Sequence, residues 1–418
     1  MKNQMNLPSL KSADVKNKTV MVRADLDVPV KKNEMGEKRV SDTFRLEKML
    51  STVKWLMDKD AKIILIGHLK RPQSWDKKYS LQPVAKKISD LLGLKFIVID
   101  EESKKLPHYP LPHVFFFKQD FRKIKHLLSE LNPKDIAILE NIRFYPEEEK
   151  TSEKFAEELS SIAEIYVNES FATDYHDNQV SIVKIPEHLP SFAGLLLEKE
   201  IKVLTKVLER PKKPYVLMIG GIKLSEKFEG LKGILDRCDY ALLGGGIATL
   251  FFASRGYEVG TSVMEKSKVT DAKEFLRNYK EKIILPDDLV VASSPVAHES
   301  ITVVSPDNVN PEQMILDVGP ETIGKYSEYI KSAKTLLWSG PMGLFENPHF
   351  AHGTKALGRL FASRSSGAAY GVAGGGDTLD AIKMINVGEY IDHLSVGGSA
   401  MLQFLAGKPL PGIEALKK

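Results

Sequence analysis

The segment Gly371-Val-Ala-Gly-Gly-Gly-Asp-Thr378 runs from a short apolar stretch directly into three glycines, and a helix-like stretch follows from Leu379. The same succession of features occurs at Gly220-Gly221, at Gly244-Gly245-Gly246 and at Gly397-Gly398. A glycine turn after a parallel strand lets backbone N–H groups approach a ligand, and the positive end of the next helix dipole points to the same place. Such turns can also require glycine for steric reasons alone. Four of them together predict an anion site of the phosphate type.

Two well-known phosphate-binding patterns are absent from these junctions. The chain has no G-x-x-x-x-G-K-[ST] run, and none of the four junctions reads G-x-G-x-x-G. Asp377 follows one glycine triplet, and a carboxylate there suits Mg²⁺, which usually takes one or two protein carboxylates and shares phosphate oxygens. Alternatively, Asp377 or Thr378 only caps a helix that begins at Leu379. Both roles can hold together, and we predict a Mg²⁺ ion that is carried by the bound phosphates.

Length and composition narrow the class of protein. A chain of 418 residues with 43% hydrophobic content predicts two domains with separate cores. The formal net charge of +4 is too small and dispersed to indicate a nucleic-acid partner. The single cysteine, Cys238, excludes an internal disulfide and fits a reducing compartment. No signal-peptide core or long apolar stretch occurs, so we predict a cytoplasmic protein without a membrane partner. We also expect the protein to be a monomer.

Strand-like and helix-like segments alternate along most of the chain. Short apolar runs at 62–67, 94–99, 135–139 and 164–167 predict buried strands, and helix-like segments lie at Asp42–Lys59 and Ser80–Leu92. This alternation predicts parallel sheets with helices on both faces. The amphipathic segment 191–209 ends at prolines and predicts a helix that joins two α/β halves.

The strand ends of the first half carry charge instead of glycine. Arg23, Asp25 and Asp27 follow one apolar run, and His68, Lys70 and Arg71 follow another. Arg143 follows a third run, and Arg45 opens a helix. Ligands of open α/β sheets bind beyond the carboxyl ends of the strands. Cations gathered there predict a small, multiply anionic substrate, although each could instead belong to a surface ion pair.

Seven ordered motifs resemble those of the phosphoglycerate kinase family over nearly the whole chain. They are Val22-Arg-Ala-Asp-Leu-Asp-Val-Pro29, Gly67-His-Leu-Lys-Arg-Pro72, Leu139-Glu-Asn-Ile-Arg-Phe144, Gly220-Gly-Ile-Lys-Leu-Ser-Glu-Lys227, Trp338-Ser-Gly-Pro-Met-Gly-Leu-Phe-Glu346, Gly374-Gly-Gly-Asp-Thr378 and Gly407-Lys-Pro-Leu-Pro-Gly-Ile-Glu-Ala-Leu416. The resemblance implies two Rossmann-like α/β/α domains with parallel sheets, joined by an interdomain helix, whose C-terminal tail returns to the first domain. It implies a first domain of residues 1–191 and 406–418, a second of 192–405, and a linker helix at 191–209.

The resemblance also implies an activity and a role for individual residues. The activity is reversible phosphoryl transfer between 1,3-bisphosphoglycerate and Mg-ADP, giving 3-phosphoglycerate and ATP, with hinge-type closure of the domains. The implied catalytic residues are Arg45, Lys223, Lys227, Gly375 and Gly398. The implied glycerate-binding residues are Asp25, Asp27, Arg45, His68, Arg71, Arg143 and His176. The implied nucleotide-binding residues are Gly220, Gly221, Lys223, Lys227, Gly244, Gly245, Pro341, Glu346, Gly374, Gly375, Gly376, Asp377 and Thr378. Asp377 is the implied Mg²⁺ ligand, Thr378 a phosphate contact and Glu346 the acceptor from the ribose.

Several positions depart from the family pattern. Asp27 replaces an asparagine, Lys70 a glycine, and His176 the substrate-binding arginine of the altered segment 172–178. The nucleotide half differs at Ile222, Ser339, Val396 and Ser399. One lost charge-assisted contact costs about 1.5–3 kcal/mol, and a like charge about 4 Å away costs roughly 1–4 kcal/mol. Lys70, or a protonated His176, could restore a positive charge.

These departures leave two hypotheses of different class. The first is an active, divergent phosphoglycerate kinase with an altered glycerate pocket. The second is a relative that binds nucleotide, has a lost or altered phosphoryl substrate, and acts as a binding or regulatory protein. The presence of Arg45, Lys223, Lys227 and Asp377 favours the enzyme, because a protein that only binds nucleotide has no use for a transfer-site arginine in the other domain.

Overall fold

The computed structural model describes residues 7–107, 109–176, 178–222, 225 and 227–417. The chain divides into two compact units, Met1–Lys202 with Pro409–Lys418 and Val203–Lys408. Each unit contains a large parallel sheet with helices, which confirms the predicted fold class.

The first unit is built on a seven-stranded parallel sheet and a short hairpin. Its strands are β1 (Thr19–Ala24), β2 (Val30–Lys32), β3 (Lys38–Val40), β4 (Lys62–Ile66), β5 (Lys95–Ile99), β6 (His113–Phe117), β7 (Ile136–Ile138), β8 (Ile165–Glu169) and β9 (Ser191–Ala193). Its helices are α1 (Phe44–Asp58), α2 (Gln82–Leu92), α3 (Lys125–Ser129), α4 (Glu153–Ser160), α5 (Val180–Val183) and the start of α6 (Leu195–Glu209). The strand order is β5-β6-β7-β4-β1-β8-β9, and β2 pairs with β3.

The residue pattern of α1 shows how this unit forms its core. Leu46, Met49, Leu50, Val53 and Leu56 are buried, and their spacing of three and four residues places them on one face of the helix. The strands beneath are apolar along their length, as in β4, because helices cover both faces of a parallel sheet.

The second unit is built on a six-stranded parallel sheet and a separate antiparallel sheet. Its strands are β10 (Tyr215–Ile219), β11 (Tyr240–Leu243), β12 (Ile283–Ile284), β13 (Leu289–Ala292), β14 (Thr302–Val304), β15 (Met314–Val318), β16 (Thr335–Ser339), β17 (Tyr370–Gly374) and β18 (His393–Ser395). Its helices are α7 (Phe228–Leu235), α8 (Gly245–Ser254), α9 (Val269–Asn278), α10 (Pro320–Ser332), α11 (His352–Ser365), α12 (Gly376–Ile385) and α13 (Ser399–Leu405). The parallel order is β12-β11-β10-β16-β17-β18, and the antiparallel order is β14-β13-β15.

The predicted helix at 191–209 begins later than expected. Residues Ser191–Ala193 form β9, which pairs in parallel with β8, and the helix α6 starts at Leu195. The carboxylate of Glu169 accepts hydrogen bonds from the N–H groups of Leu196 and Leu197 at 2.9 and 3.1 Å. A carboxylate at this position satisfies N–H groups that the first helical turn leaves unpaired and interacts favourably with the helix dipole. The helix start is therefore set by β8 and not by the apolar pattern of 191–194.

The helix after the glycine triplet begins earlier than predicted. The helix α12 begins at Gly376 after the N-cap Gly375, so Asp377 and Thr378 lie within its first turn and do not cap a helix at Leu379.

The C-terminal segment belongs to the first unit, where helix α14 (Pro411–Ala415) lies against α5. Among the helices of the described residues, none is long and apolar enough to cross a bilayer.

Candidate functional site

Charged side chains of the first unit meet at one edge of its parallel sheet. The strands β7, β4 and β1 are neighbours in the sheet, and Arg143, His68 and Asp25 follow their carboxyl ends. The prediction that these strand ends gather at one edge is thus confirmed by the strand order.

Arg45 and Asp25 form the most buried ion pair of this edge. An Nη1–Oδ2 distance of 3.2 Å joins them, and the same nitrogen lies 3.4 Å from the carbonyl oxygen of Asp27. Asp25 is 2% exposed, and its Oδ1 has no hydrogen-bond partner among the described residues. The carboxylate of Asp25 raises the pKa of Arg45 above its usual value. The first turn of α1 therefore carries a permanently charged guanidinium, and the ion pair with Asp25 holds it in place.

His68 is neutral, and its tautomer follows from Arg23. The Nη2 group of Arg23 lies 2.9 Å from Nδ1 of His68, and a guanidinium can only donate, so Nδ1 accepts and the ring proton is on Nε2. Burial, together with the charges of Arg23 and Arg143, lowers the pKa of His68 well below its usual value. His68 can therefore donate one hydrogen bond from Nε2 but carries no positive charge.

Arg23, which the sequence pattern placed among the strand-end cations, lies within β1 and contacts His68. It is fully buried, and it donates further hydrogen bonds to Ser181 Oγ at 2.9 Å, Ser170 Oγ at 3.2 Å and the Ala24 carbonyl at 2.6 Å. Its neighbours in β1, Val22 and Ala24, are buried as well, so Arg23 does not lie beyond the end of the strand. Arg23 orients His68 and does not itself reach the surface.

Asp27, Lys70 and Arg143 form a connected group. Asp27 Oδ1 accepts a hydrogen bond from the Lys70 N–H at 3.1 Å and lies 3.6 Å from Lys70 Nζ. The Lys70 carbonyl accepts a hydrogen bond from Arg143 Nη1 at 2.8 Å, and Arg143 Nε lies 3.4 Å from Glu149 Oε1. Burial, then the charge of Arg23, lowers the pKa of Arg143 below its usual value.

The two remaining predicted glycerate residues lie at the border of this group. Arg71 is exposed directly after Lys70. His176 is partly buried beside Tyr175, with 4.1 Å between the ring centroids, and its charge contributes to the lowered pKa of His68.

The second unit contains a cavity of about 420 Å³. Its lining residues are Gly221, Ile222, Lys227, Gly245, Gly246, Val263, Pro295, Met314, Ile315, Leu316, Pro341, Gly343, Leu344, Phe345, Glu346 and Asp377. Residues of three strand-to-helix junctions, after β10, β11 and β17, therefore lie around one space. The backbones of Gly220 and Gly340, the latter at a φ of 97°, approach so closely that a Cβ on either would overlap the opposite segment.

Lys227 and Thr378 connect these turns. Lys227 Nζ donates to the Gly220 carbonyl at 2.6 Å and lies 3.3 Å from the Ser339 carbonyl. The buried Thr378 hydroxyl accepts a hydrogen bond from the Gly340 N–H at 2.7 Å. The ends of β10, β16 and β17 are thus joined by side chains that were predicted to contact phosphate.

The last two glycine junctions lie side by side. Gly375 has a φ of 106° and Gly398 a φ of 49°, and a Cβ on Gly398 would be 3.9 Å from the Cα of Gly375. Asp377 is exposed in the first turn of α12 and faces the cavity, as one carboxylate beside glycine backbone. This donor set fits a Mg²⁺ ion that takes most of its ligands from phosphate and water. Gly374 and Gly376 belong to the junction after β17, and Gly244 belongs to the junction after β11. Lys223 lies outside the described residues.

An apolar wall of this cavity was not predicted from the sequence. Met314, Ile315 and Leu316 come from β15, in the antiparallel sheet, and Val263 and Phe345 complete the wall. Glu346 also lines the cavity and is exposed. The apolar patterns of residues 289–292 and 314–318 indicate two strands. The two strands are distant in sequence, so their pairing could not be predicted from a local pattern.

The chain matches the family model described as phosphoglycerate kinase over residues 10–408. It belongs to the phosphoglycerate kinase family. A phosphoglycerate kinase of Pelotomaculum thermopropionicum is 36% identical, and one of Clostridium botulinum is 38% identical, each over 98% of both chains. The solved phosphoglycerate kinase of Coxiella burnetii is 31% identical with a TM-score of 0.78 over 99% of both chains. That of Pyrococcus horikoshii is 28% identical with a TM-score of 0.80 over 98% of both chains.

Family membership confirms the activity that the resemblance implied. The chain is a phosphotransferase of glycolysis that transfers a phosphoryl group reversibly between 1,3-bisphosphoglycerate and ADP, giving 3-phosphoglycerate and ATP. The alternative of a phosphoglycerate kinase relative that only binds nucleotide is not favoured.

Proposed function

We propose that the cavity of the second unit binds ADP or ATP with Mg²⁺, and that the charged edge of the first unit binds 3-phosphoglycerate and 1,3-bisphosphoglycerate. The observation that carries the proposal is the cavity. Its lining combines glycine backbone, apolar side chains suited to a planar base, and the charged side chains of Lys227, Glu346 and Asp377. Aromatic bases favour apolar surfaces, and phosphates favour helix N-termini.

Within this cavity we assign roles by chemistry. Gly221, Gly245 and Pro341 line the cavity and would contact the nucleotide. Gly220, Gly244, Gly374, Gly375, Gly376 and Thr378 belong to the same strand-to-helix turns as the lining residues Gly221, Gly245 and Asp377, and we assign them to the nucleotide site as well. Asp377 would bind the Mg²⁺, which neutralises charge on the phosphates when bound. Glu346, as an exposed carboxylate beside the apolar wall, accepts hydrogen bonds from the ribose.

On the first unit the residues divide between charge and orientation. Arg71 and Arg143 supply permanent cations for the carboxylate and phosphate of the glycerate, and neutral His68 donates from Nε2. Asp25 and Asp27 orient the cations, and His176 borders the site. Phosphoryl transfer needs no covalent intermediate, so catalysis rests on positioning and positive charge. We assign Arg45, Lys227, Lys223, Gly375 and Gly398 to the transferred group.

A coupled assay of ATP-dependent phosphorylation of 3-phosphoglycerate tests the activity, and calorimetry with Mg-ADP tests the nucleotide site. Asp377→Asn should weaken Mg-ADP about tenfold or more, the size of one charged contact. Asp380→Asn, on the same helix but outside the cavity lining, is the matched control. Equal affinities of the two variants for Mg-ADP would contradict the assignment of Asp377.

This proposal also includes a monomeric protein of the cytoplasm, and closure of its two units. The single cysteine, which is free and buried, supports a reducing compartment. Closure of the two units about the ends of α6 is expected when both ligands bind, because transfer requires the reacting atoms within about 3–3.5 Å and away from water. Small-angle scattering that shows no compaction at saturation with both ligands would argue against closure.

A further inference from the structure

Lys70 adopts a backbone conformation that its residue type rarely takes. Its φ is 60°, in the left-handed region that is unfavourable for residues with a Cβ. Contacts on both sides stabilise this turn, since the Lys70 N–H donates to Asp27 Oδ1 and the Lys70 carbonyl accepts from Arg143 Nη1. The Lys70 backbone therefore connects one acidic and one basic residue of the proposed glycerate site.

The carboxylate of Asp27 raises an electrostatic difficulty in this site. It lies 4.0 Å from His68 Nε2, among residues that we propose to bind a multiply charged anion. An unpaired carboxylate there would repel such a substrate. Some neighbouring cation must balance its charge if the site is to bind an anion well.

Among the described residues, Lys70 is the cation whose side chain pairs with this carboxylate. His68 is neutral, and Arg143 contacts a carbonyl and Glu149. The charge of Asp25, and after it that of Asp27, raises the pKa of Arg45, but the Arg45 guanidinium pairs with the carboxylate of Asp25 and contacts Asp27 only at its backbone carbonyl. Lys70 Nζ lies 3.6 Å from Asp27 Oδ1. The two side chains are 57% and 28% exposed, so the pair faces solvent at the site and is not buried in the core.

We propose that Lys70 is the charge-balancing residue of the glycerate site, and that its left-handed turn positions the ammonium group against Asp27. This inference rests on the proposed function of the charged edge. It makes Lys70 and Asp27 a coupled pair, so that the effect of changing either residue on binding of 3-phosphoglycerate depends on the other.

The conformation of Lys70 permits a test that removes charge without disturbing the backbone. Lys70→Gly keeps the turn, because glycine populates positive φ readily. In the full-length enzyme we expect its KM for 3-phosphoglycerate to rise about tenfold or more, with an unchanged KM for Mg-ATP. Asp27→Asn alone should lower the KM for 3-phosphoglycerate by no more than about twofold, because Lys70 already balances the carboxylate. In the Lys70→Gly background the same change should lower the KM about fivefold or more, so that the double variant returns to within about twofold of wild type, whereas additive effects would leave it about fivefold above. Lys70→Arg should stay near wild type.

Lys134 provides a matched control. It also has a positive φ, of 75°, and pairs with a carboxylate, Asp60, at 3.3 Å, but it precedes β7 and so lies at the amino end of that strand. Lys134→Gly and Asp60→Asn should change neither KM. An inactive wild type would overturn the proposed function and this inference with it. An active wild type whose Lys70→Gly variant keeps its KM for 3-phosphoglycerate, or whose two single effects simply add, would overturn this inference alone.

Discussion

The hydroxyl of Thr378 should stabilise the second unit through the turn after β16. It is 1% exposed and accepts the hydrogen bond of the Gly340 N–H at 2.7 Å, while the Gly340 carbonyl accepts from the Trp338 indole at 2.8 Å. Valine has the shape of threonine but cannot accept a hydrogen bond. Thr378→Val therefore leaves a buried N–H unpaired, which costs about 1–3 kcal/mol in the free energy of unfolding. Because Pro341 follows in the cavity lining, we also expect a higher KM for Mg-ATP.

Trp338 makes this loss measurable in one unit. It is fully buried on β16, and the other two tryptophans, Trp55 and Trp75, can be replaced by phenylalanine. Urea unfolding followed by Trp338 fluorescence then reports the second unit, although the whole chain need not unfold in one step. Thr249→Val is the control: Thr249 is also 1% exposed, but its hydroxyl only donates, at 3.3 Å, to a carbonyl in the first turn of α8. A loss for Thr378→Val no larger than that for Thr249→Val would refute the reasoning.

Three other outcomes are expected. Asp377→Asn should raise about tenfold the Mg²⁺ concentration that gives half-maximal activity, which a titration of activity with MgCl₂ measures. The change should not lower stability, because the side chain of Asp377 is exposed. Arg45→Gln should lower kcat by about 10²-fold or more. It should also destabilise the first unit, because the carboxylate of Asp25 is left buried without its cation. A variant with normal kcat would contradict the assignment of Arg45 to the transferred group. Burial raises the pKa of Asp174 from 3.8 to about 7, so the folded state holds this proton more tightly than the unfolded state. The resulting stability is complete below about pH 4 and is lost as the pH rises through about 7, and Asp174→Asn should flatten the dependence in urea unfolding; an unchanged slope would argue against the shift.

The parallel sheets and the gathering of the strand ends could be predicted because both depend on local patterns. Short apolar runs alternate with helical segments, and parallel strands joined by helices end on the same edge of a sheet. His68 and Arg143 were placed together on this basis, and the neighbouring strands β4 and β7 bring them to one edge. The glycine junctions around the cavity were predicted by the same reasoning.

The features that were missed depend on contacts distant in sequence. The pattern of Ser191–Ala193 predicted the start of a helix. These residues instead pair with β8 as a strand, and Glu169 sets the position at which the helix begins. The apolar wall from β15 arises from antiparallel pairing with β13, which no local pattern specifies. Arg23 looks like another strand-end cation in the sequence, and only the packing of β1 shows that it is buried beneath His68.

Asp27 shows how a residue considered alone can mislead about a site. In the sequence it is an added negative charge where an anion should bind, which predicts weaker binding. In the structure its carboxylate contacts both the N–H and the ammonium group of Lys70, whose left-handed backbone directs them to it. Lys70 beside a neutral residue would add net positive charge to the site, and Asp27 beside a neutral residue would add net negative charge. A site that binds an anion tolerates an added positive charge but not an added negative charge. The two substitutions therefore act together, and Asp27 is tolerated because Lys70 is present.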